Sequence, residues 1–100
     1  MRIISLSTLK NFWELHPEYT DAKDQLLAWY RHTLKADWAT PTMVKRDFGT
    51  ASILQDGRVV FNIAGNKYRL IVWLNYPYRV VYIRFIGTHK QYDKIDAQTI

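Results

Sequence analysis

The chain has 100 residues, which is enough for one hydrophobic core and predicts a single domain over residues 1–100. Hydrophobic residues make up 48% and charged residues 23%, a balance that argues against disorder, and the formal net charge is +5. No cysteine is present, which excludes disulfides, thiolate metal sites and cysteine catalysis. Apolar runs are short and residues 1–10 do not resemble a signal peptide, so we expect a cytoplasmic protein without a membrane contact.

The N-terminal residues predict one short strand followed by a helix. Arg2–Ser5 has the apolar content of a strand. A helix capped by Ser7 or Thr8 runs to about His16, because the residue before Pro17 avoids helical angles.

A second helix is predicted from its cap at Thr20 or Asp21 to about Lys35. Its buried stripe at helical spacing consists of Ala22, Leu26, Trp29, Tyr30, Thr33 and Leu34. The solvent side carries Lys23, Asp24 and Arg31. A short helix over Pro41–Asp47 follows, with proline at its first position, and we expect Trp38 and Phe48 to anchor this segment to the core.

From Arg58 onward the apolar period changes to two, which predicts three antiparallel strands. These strands are Val59–Ile63, Lys67–Leu74 and Arg79–Ile86. Gly65-Asn66 indicates a tight hairpin turn, and Asn75–Tyr78 is interpreted as a four-residue loop. Gly87 ends the last strand, and a short helix covers His89–Ile95. The predicted fold class is α+β, with the N-terminal strand and two helices packed on one face of a small antiparallel sheet.

The positive charge lies mainly in the second half of the chain. Residues 51–100 contain seven Lys or Arg and three Asp or Glu, and no carboxylate lies between Asp56 and Asp93. Aromatic residues, among them Trp73 and Tyr82, are interleaved with the basic ones. Basic and aromatic side chains without acids are typical of a surface that binds a polyanion and stacks bases. Composition alone is equally compatible with a solvated sheet face.

The predicted strand register places two arginines side by side. The hairpin turn pairs Asn62 with Arg69, and the four-residue loop pairs Arg69 with Arg84, so all three lie on the sheet face away from the helices. Adjacent like charges cost about 0.2–1 kcal/mol, so stability does not explain this arrangement. Two guanidinium groups suit a phosphate placed between them. The alternative is that both arginines extend into water or pair with Asp47 or Asp56.

The stretch Val59–Asp96 resembles the HigB toxins of the RelE superfamily. The segments that carry the resemblance are Val60–Ile63, Gly65–Ile71, Tyr82–Lys90 and Tyr92-Asp93. This resemblance implies a RelE-like fold and a small toxin that cleaves mRNA, usually in the decoding site of a translating ribosome. It also implies a HigA-like antitoxin partner with a helix-turn-helix domain, through which alone the toxin would contact operator DNA.

The resemblance also implies roles for two residues. In the family, an arginine on the strand after the hairpin contacts the scissile phosphate, a position that Arg69 matches. Basic or imidazole groups near the C-terminus serve as acid or base there, a position that His89 matches.

The residues fit a cleavage that needs neither a metal nor a cofactor, with attack of the ribose 2′-hydroxyl on its own phosphate. Arg69 and Arg84 would stabilise the phosphorane, and His89 would transfer protons near neutral pH. The remaining candidates are Lys67 and Lys90 for flanking phosphates or proton donation, Tyr92 for orienting His89 or stacking on a base, and Asn62, Trp73 and Tyr82 for RNA binding. No carboxylate is expected near His89, and His16 and His32 are placed outside this cluster.

A second hypothesis is a non-catalytic basic module that binds RNA or the ribosome. It requires the basic and aromatic face but not His89.

Overall fold

A computed structural model describes all 100 residues. The sheet has five strands: β1 (Arg2–Ile4), β2 (Ser52–Ile53), β3 (Arg58–Ile63), β4 (Tyr68–Asn75) and β5 (Val80–Thr88). The four α-helices are α1 (Leu6–Glu14), α2 (Ala22–Lys35), α3 (Pro41–Asp47) and α4 (His89–Tyr92). The strand order is β1-β5-β4-β3-β2, in which β1 is parallel to β5 and every other pair is antiparallel. The α+β fold class is therefore confirmed, with β2 as an additional edge strand.

The helices follow the sequence pattern closely. α2 begins after Asp21, and α3 has the predicted bounds, with Thr40 before it and Pro41 at its first position. α1 begins at Leu6, one residue after its cap Ser5, and ends at Glu14, so both of its ends lie about two residues earlier in the chain than predicted. Leu34 was wrongly assigned to the buried stripe of α2, because it is 45% exposed. None of these helices combines the length and the apolar character that a membrane crossing demands.

The core lies between the sheet and the helices α1 and α2, on what we call the inner face. The largest buried side chains there include Trp38 and Phe61, which are both 1% exposed and stack at 6.1 Å between ring centroids. Trp29 meets Phe61 edge-on at 5.4 Å, and Phe48 packs against both Trp38 and Phe61. Aromatic contacts of this kind are worth about 0.5–1.5 kcal/mol each beyond burial. The predicted anchoring role of Trp38 and Phe48 is confirmed.

The hairpin between β3 and β4 has the predicted register. Asn62 pairs with Arg69, and Phe61 pairs with Leu70. The turn itself covers residues 64–67, and both Ala64 and Gly65 adopt positive φ values of 53° and 67°. This is the left-handed region that glycine adopts without cost.

The predicted register between β4 and β5 is wrong. Arg69 pairs with Gly87 rather than Arg84, because the connecting loop spans residues 76–79 and the strand contains an irregularity between Ile71 and Val72. On β5 this irregularity leaves Arg84 as an extra residue between Ile83 and Phe85, which is a β-bulge. The displaced loop and the bulge together move the partner of Arg69 by three residues, from Arg84 to Gly87, and the bulge has no simple sequence pattern that would predict it.

The strand β5 also continues past Gly87 to Thr88, beyond its predicted end, and α4 stops at Tyr92 rather than at Ile95. The start of β5 is displaced too, because Arg79 has a positive φ of 58° in the loop and donates from Nε to Asp37 Oδ1 at 2.5 Å. Both ends of this strand are thus one or two residues further along the chain.

The other side of the sheet, which we call the outer face, was predicted to be uncovered, and that prediction is wrong for its central part. Val60 and Ile71 belong to this face and are only 3% and 0% exposed. Residues after α4 lie along it, since Arg58 Nε donates to the carbonyl of Ile100 at 3.1 Å. The exposed parts of the outer face are therefore its margins: the end next to α4, and the region of Trp73, Tyr82 and Arg84.

Candidate active site

Arg69 on β4 is held in place at the hairpin end of the outer face. Its guanidinium donates to the carbonyl oxygens of Asn66 at 3.1 Å and Tyr68 at 3.3 Å. Its Cζ lies 5.9 Å from the ring centroid of Tyr92, which is the distance of a cation–π contact. No carboxylate forms a salt bridge with Arg69, so a half-buried guanidinium retains its full charge for an anion.

Arg84 does not join Arg69 in one row. It is exposed in the bulge of β5, three residues before Gly87, which corresponds to roughly 10 Å along the strand. Like Arg69 it makes no salt bridge, and neither arginine pairs with Asp47 or Asp56. The two guanidinium groups thus lie on one side of the sheet but at separate positions.

The short helix α4 carries the candidate imidazole. Thr88 and Gln91 form a capping box, in which Thr88 Oγ1 accepts from the Gln91 N–H at 3.2 Å and Gln91 Oε1 accepts from the Thr88 N–H at 2.9 Å. The N–H of His89 donates to the carbonyl of Lys67 at 3.2 Å, which fixes the helix to the hairpin turn. These bonds fix the backbone from which the His89 side chain extends.

His89 has a carboxylate neighbour, contrary to the expectation from the sequence. Nδ1 of His89 lies 3.1 Å from Oδ2 of Asp93, one helical turn further on. Both side chains are more than half exposed. Tyr92 faces Arg69 instead of His89, so its contact in the folded protein is with the guanidinium.

Lys67 was placed on the outer face by the predicted register, and that placement is wrong. Its Nζ forms an ion pair with Asp21, the residue before α2, and the hydroxyl of Tyr68 donates to the same carboxylate. The hydrogen bond from Lys67, followed by that from Tyr68, holds the pKa of Asp21 below its ordinary value. Burial and the neighbouring Asp21 raise the pKa of Tyr68 to about 12. Lys67 therefore ties the hairpin turn to the helical layer.

Trp73 and Tyr82 lie opposite each other on β4 and β5, with ring centroids 5.1 Å apart. Both are half-buried, and Trp73 Nε1 donates to the carbonyl of Asp56 at 2.7 Å. The two rings form an aromatic platform beside the bulge at Arg84.

The remaining candidates are distributed around these groups. Asn62 is half-buried on β3 beside Arg69, and Lys90 is exposed on α4. His16 lies near Glu18, and His32 Nε2 lies 3.1 Å from Asp47 Oδ2 on the helical side of the molecule. The hydrogen bonds that Trp38 and His32 make to Asp47 lower the pKa of that carboxyl. No three His, Asp or Glu side chains come together as metal ligands would.

Two features of the site were missed, although the sequence contains the patterns for both. Asp93 stands four residues after His89 in a predicted helix, the spacing at which side chains meet. Thr88-x-x-Gln91 is a capping-box pattern that places the start of α4.

Comparison with known proteins places the chain in a family. Residues 22–95 match the family model described as HigB toxin, the RelE-like toxic component of a toxin–antitoxin system. The chain belongs to the HigB toxin family. The matched residues 22–95 include every candidate site residue, and the resemblance inferred from the sequence is confirmed. As the toxic component of such a system, the protein has an antitoxin as its partner.

Three curated relatives match nearly the whole length of the chain. The chain is 30% identical over 99 residues to the "mRNA interferase toxin HigB" of Escherichia coli K12, covering 97% of this chain and 92% of the relative. Proteins named "mRNA interferase HigB" from Escherichia coli O157:H7 and Shigella flexneri match with the same identity and coverage.

Proposed function

We propose that this HigB toxin is an endoribonuclease that cleaves mRNA on the ribosome and thereby inhibits translation. The observation that carries the proposal is Arg69, a half-buried guanidinium fixed by two carbonyl oxygens and the Tyr92 ring and free of any carboxylate. A cation that is oriented without being neutralised suits the scissile phosphate, where negative charge increases in the transition state. Its relatives carry the name mRNA interferase.

The groups around Arg69 supply the other parts of a metal-independent cleavage. The ribose 2′-oxygen attacks the adjacent phosphorus and a base takes the 2′-hydroxyl proton. The bond from phosphorus to the 5′-oxygen breaks, and that oxygen takes a proton from water, which leaves a 2′,3′-cyclic phosphate. His89, on the helix next to Arg69, is the candidate base. We assign to Lys90, which is exposed on the same helix, the neutralisation of a flanking phosphate.

The bulge changes the role we propose for Arg84. At roughly 10 Å along β5 from the position opposite Arg69, it contacts a neighbouring phosphate rather than the scissile one. The Trp73–Tyr82 platform beside it stacks a base of the same strand, and Asn62 contacts RNA beside Arg69. Substrate would then extend from α4 along β5.

We further propose that the antitoxin carries a helix-turn-helix domain and that operator DNA is contacted through it. The toxin has no basic recognition helix of its own on the outer face, where the exposed basic residues lie on strands and on the single-turn helix α4.

The test is cleavage of a defined mRNA in translating ribosomes by the wild type, Arg69→Ala and a matched control, Arg31→Ala, on the solvent side of α2. We expect Arg69→Ala to lower kcat roughly 100- to 1000-fold, as for the loss of one transition-state donor, and Arg31→Ala to leave it unchanged. The new 3′ ends should be cyclic phosphates.

Circular dichroism should show the same fold for all three proteins. Full activity of Arg69→Ala would contradict the site. Arrest of translation without any cut, by a protein in which His89→Gln changes nothing, would instead support the non-catalytic binding module.

A further inference from the structure

The helix α4 brings an imidazole and a carboxylate together in a defined geometry. His89 and Asp93 are one turn apart, and the start of the helix is fixed by the capping box and by the bond from the His89 N–H to the Lys67 carbonyl. The N–H of Asp93 in turn donates to the carbonyl of His89 at 3.0 Å, which holds the second residue on the same turn. The two side chains thus start from a backbone that is anchored at both positions.

The polarity of the contact follows from the chemistry of its two atoms. An ionised carboxylate only accepts hydrogen bonds, so the proton of a neutral imidazole that faces Oδ2 of Asp93 is on Nδ1. Nε2 then carries a lone pair, and it makes no hydrogen bond to any other group of the protein. A neutral imidazole in this tautomer is a proton acceptor at Nε2.

Apart from Asp96, whose Oδ1 accepts from the N–H of Gln98 at 2.9 Å, the other titratable groups around α4 are basic or phenolic. They are Lys67 in the turn, Arg69 on β4, and Lys90, Tyr92 and Lys94 in or just after the helix. Lys67 is already paired with Asp21, and Arg69 faces Tyr92. Asp93 is therefore the one carboxylate in contact with His89.

We propose that Asp93 is a positioning residue, which holds His89 in the Nδ1–H tautomer so that Nε2 accepts the 2′-hydroxyl proton. This inference rests on the proposed function. In the step, the bond from O2′ to phosphorus forms and the bond from phosphorus to O5′ breaks. The 2′-hydroxyl proton moves to Nε2, and O5′ takes a proton from water. Asp93 itself does not touch the RNA and neither gains nor loses a bond in this step.

The experiment compares wild type, Asp93→Ala, Asp93→Glu and the control Asp24→Asn, whose carboxylate lies on the solvent side of α2. We expect Asp93→Ala to lower kcat roughly 10- to 100-fold with KM changed less than about twofold, the size seen when an imidazole loses its orienting partner. Asp93→Glu should recover part of kcat, and Asp24→Asn should match the wild type.

A second measurement does not depend on cleavage. Nitrogen-15 spectra of the imidazole at pH 8 should show His89 protonated at Nδ1 in the wild type, and a mixture dominated by the Nε2–H form in Asp93→Ala. An Nε2–H wild type would overturn the proposal. So would an Asp93→Ala protein with wild-type kcat while Arg69→Ala is inactive. If the wild type cuts no RNA, the proposed function itself fails, and the catalytic role of Asp93 fails with it, whichever tautomer the spectra show.

Discussion

Arg69 on β4 stands directly opposite Gly87 on β5. A Cβ atom at Gly87 would lie 2.6 Å from Phe85 Cζ and 2.7 Å from Gln91 Oε1, so the side chains of Phe85 and of Gln91 on α4 occupy that space. Gly87 thus allows the phenyl ring and the capping amide to close over the strand beside the guanidinium. The small residue at this position lets α4 approach the sheet.

Replacing Gly87 by alanine should therefore destabilise the protein. We expect Gly87→Ala to lower the free energy of unfolding by about 1–3 kcal/mol, because an added methyl group in a filled space forces its neighbours to move. Urea denaturation followed by circular dichroism measures the change. Gly49→Ala is the matched control, since no atom lies within 4 Å of its added Cβ. Equal stability of Gly87→Ala and wild type would argue against the close packing of α4.

The separation of Arg69 and Arg84 predicts additive effects on cleavage. If they contact different phosphates, the losses in transition-state free energy from Arg69→Ala and Arg84→Ala should add within about 0.5 kcal/mol in the double variant. The measurement is kcat/KM of the four proteins of this cycle on the same mRNA. If the double variant loses much less transition-state free energy than the two single losses added together, both arginines act on one phosphate, as the predicted register implied.

The aromatic platform predicts an effect on substrate binding. Tyr82→Ala should weaken RNA binding by about 1–3 kcal/mol, the cost of losing one stacked base, while Tyr82→Phe keeps the ring and should stay near the wild type. Affinity for a short single-stranded RNA, measured by fluorescence anisotropy at fixed salt, gives both values. Weakening by both variants alike would assign the effect to the hydroxyl rather than to stacking.

The lowered pKa of Asp21 predicts that the free energy of unfolding depends on pH in the acidic range. Its pKa in the folded protein lies below the ordinary value of 3.8, so the ionised carboxylate stabilises the fold fully above that value. This contribution is lost as the pH falls through 3.8 toward the folded-state pKa. Asp21→Asn should therefore be less stable than wild type at pH 7, and the difference should shrink between about pH 5 and pH 3.

Thermal unfolding at several pH values measures this difference, with Asp24→Asn as the control. Asp47 is expected to contribute in the same direction, because its pKa is lowered as well. A constant difference between Asp21→Asn and wild type across this range would contradict the role of the Lys67–Asp21 ion pair.

The sequence was sufficient where local patterns decide the structure. α2 and α3 have clear caps and apolar spacing, and the turn residues Gly65-Asn66 fixed which residues of β3 and β4 are paired. It was insufficient where packing decides. Ile83 and Ile86 both pack on the inner face of the sheet although they are three positions apart, because the bulge at Arg84 changes the alternation of side chains along β5. No local sequence pattern indicates this bulge.

The candidate site shows the same division. Residue types and family resemblance identified Arg69 and His89, but the neighbours of each depend on tertiary structure. The pairing of Lys67 with Asp21 joins residues 46 positions apart, and the contact of Tyr92 with Arg69 follows from how α4 returns to the hairpin. By contrast, the contact of Asp93 with His89 could have been predicted from the sequence, because the two residues have helical spacing.

The parallel pairing of β1 with β5 has a consequence for synthesis of the toxin. Arg2 lies beside Val80, so the first strand has no partner until almost the entire chain has been translated, and contacts so distant in sequence form late. Arg69, Arg84 and His89 are on or next to that same last strand. A chain that has been synthesised only as far as β4 therefore lacks both Arg84 and His89 and cannot pair its first strand.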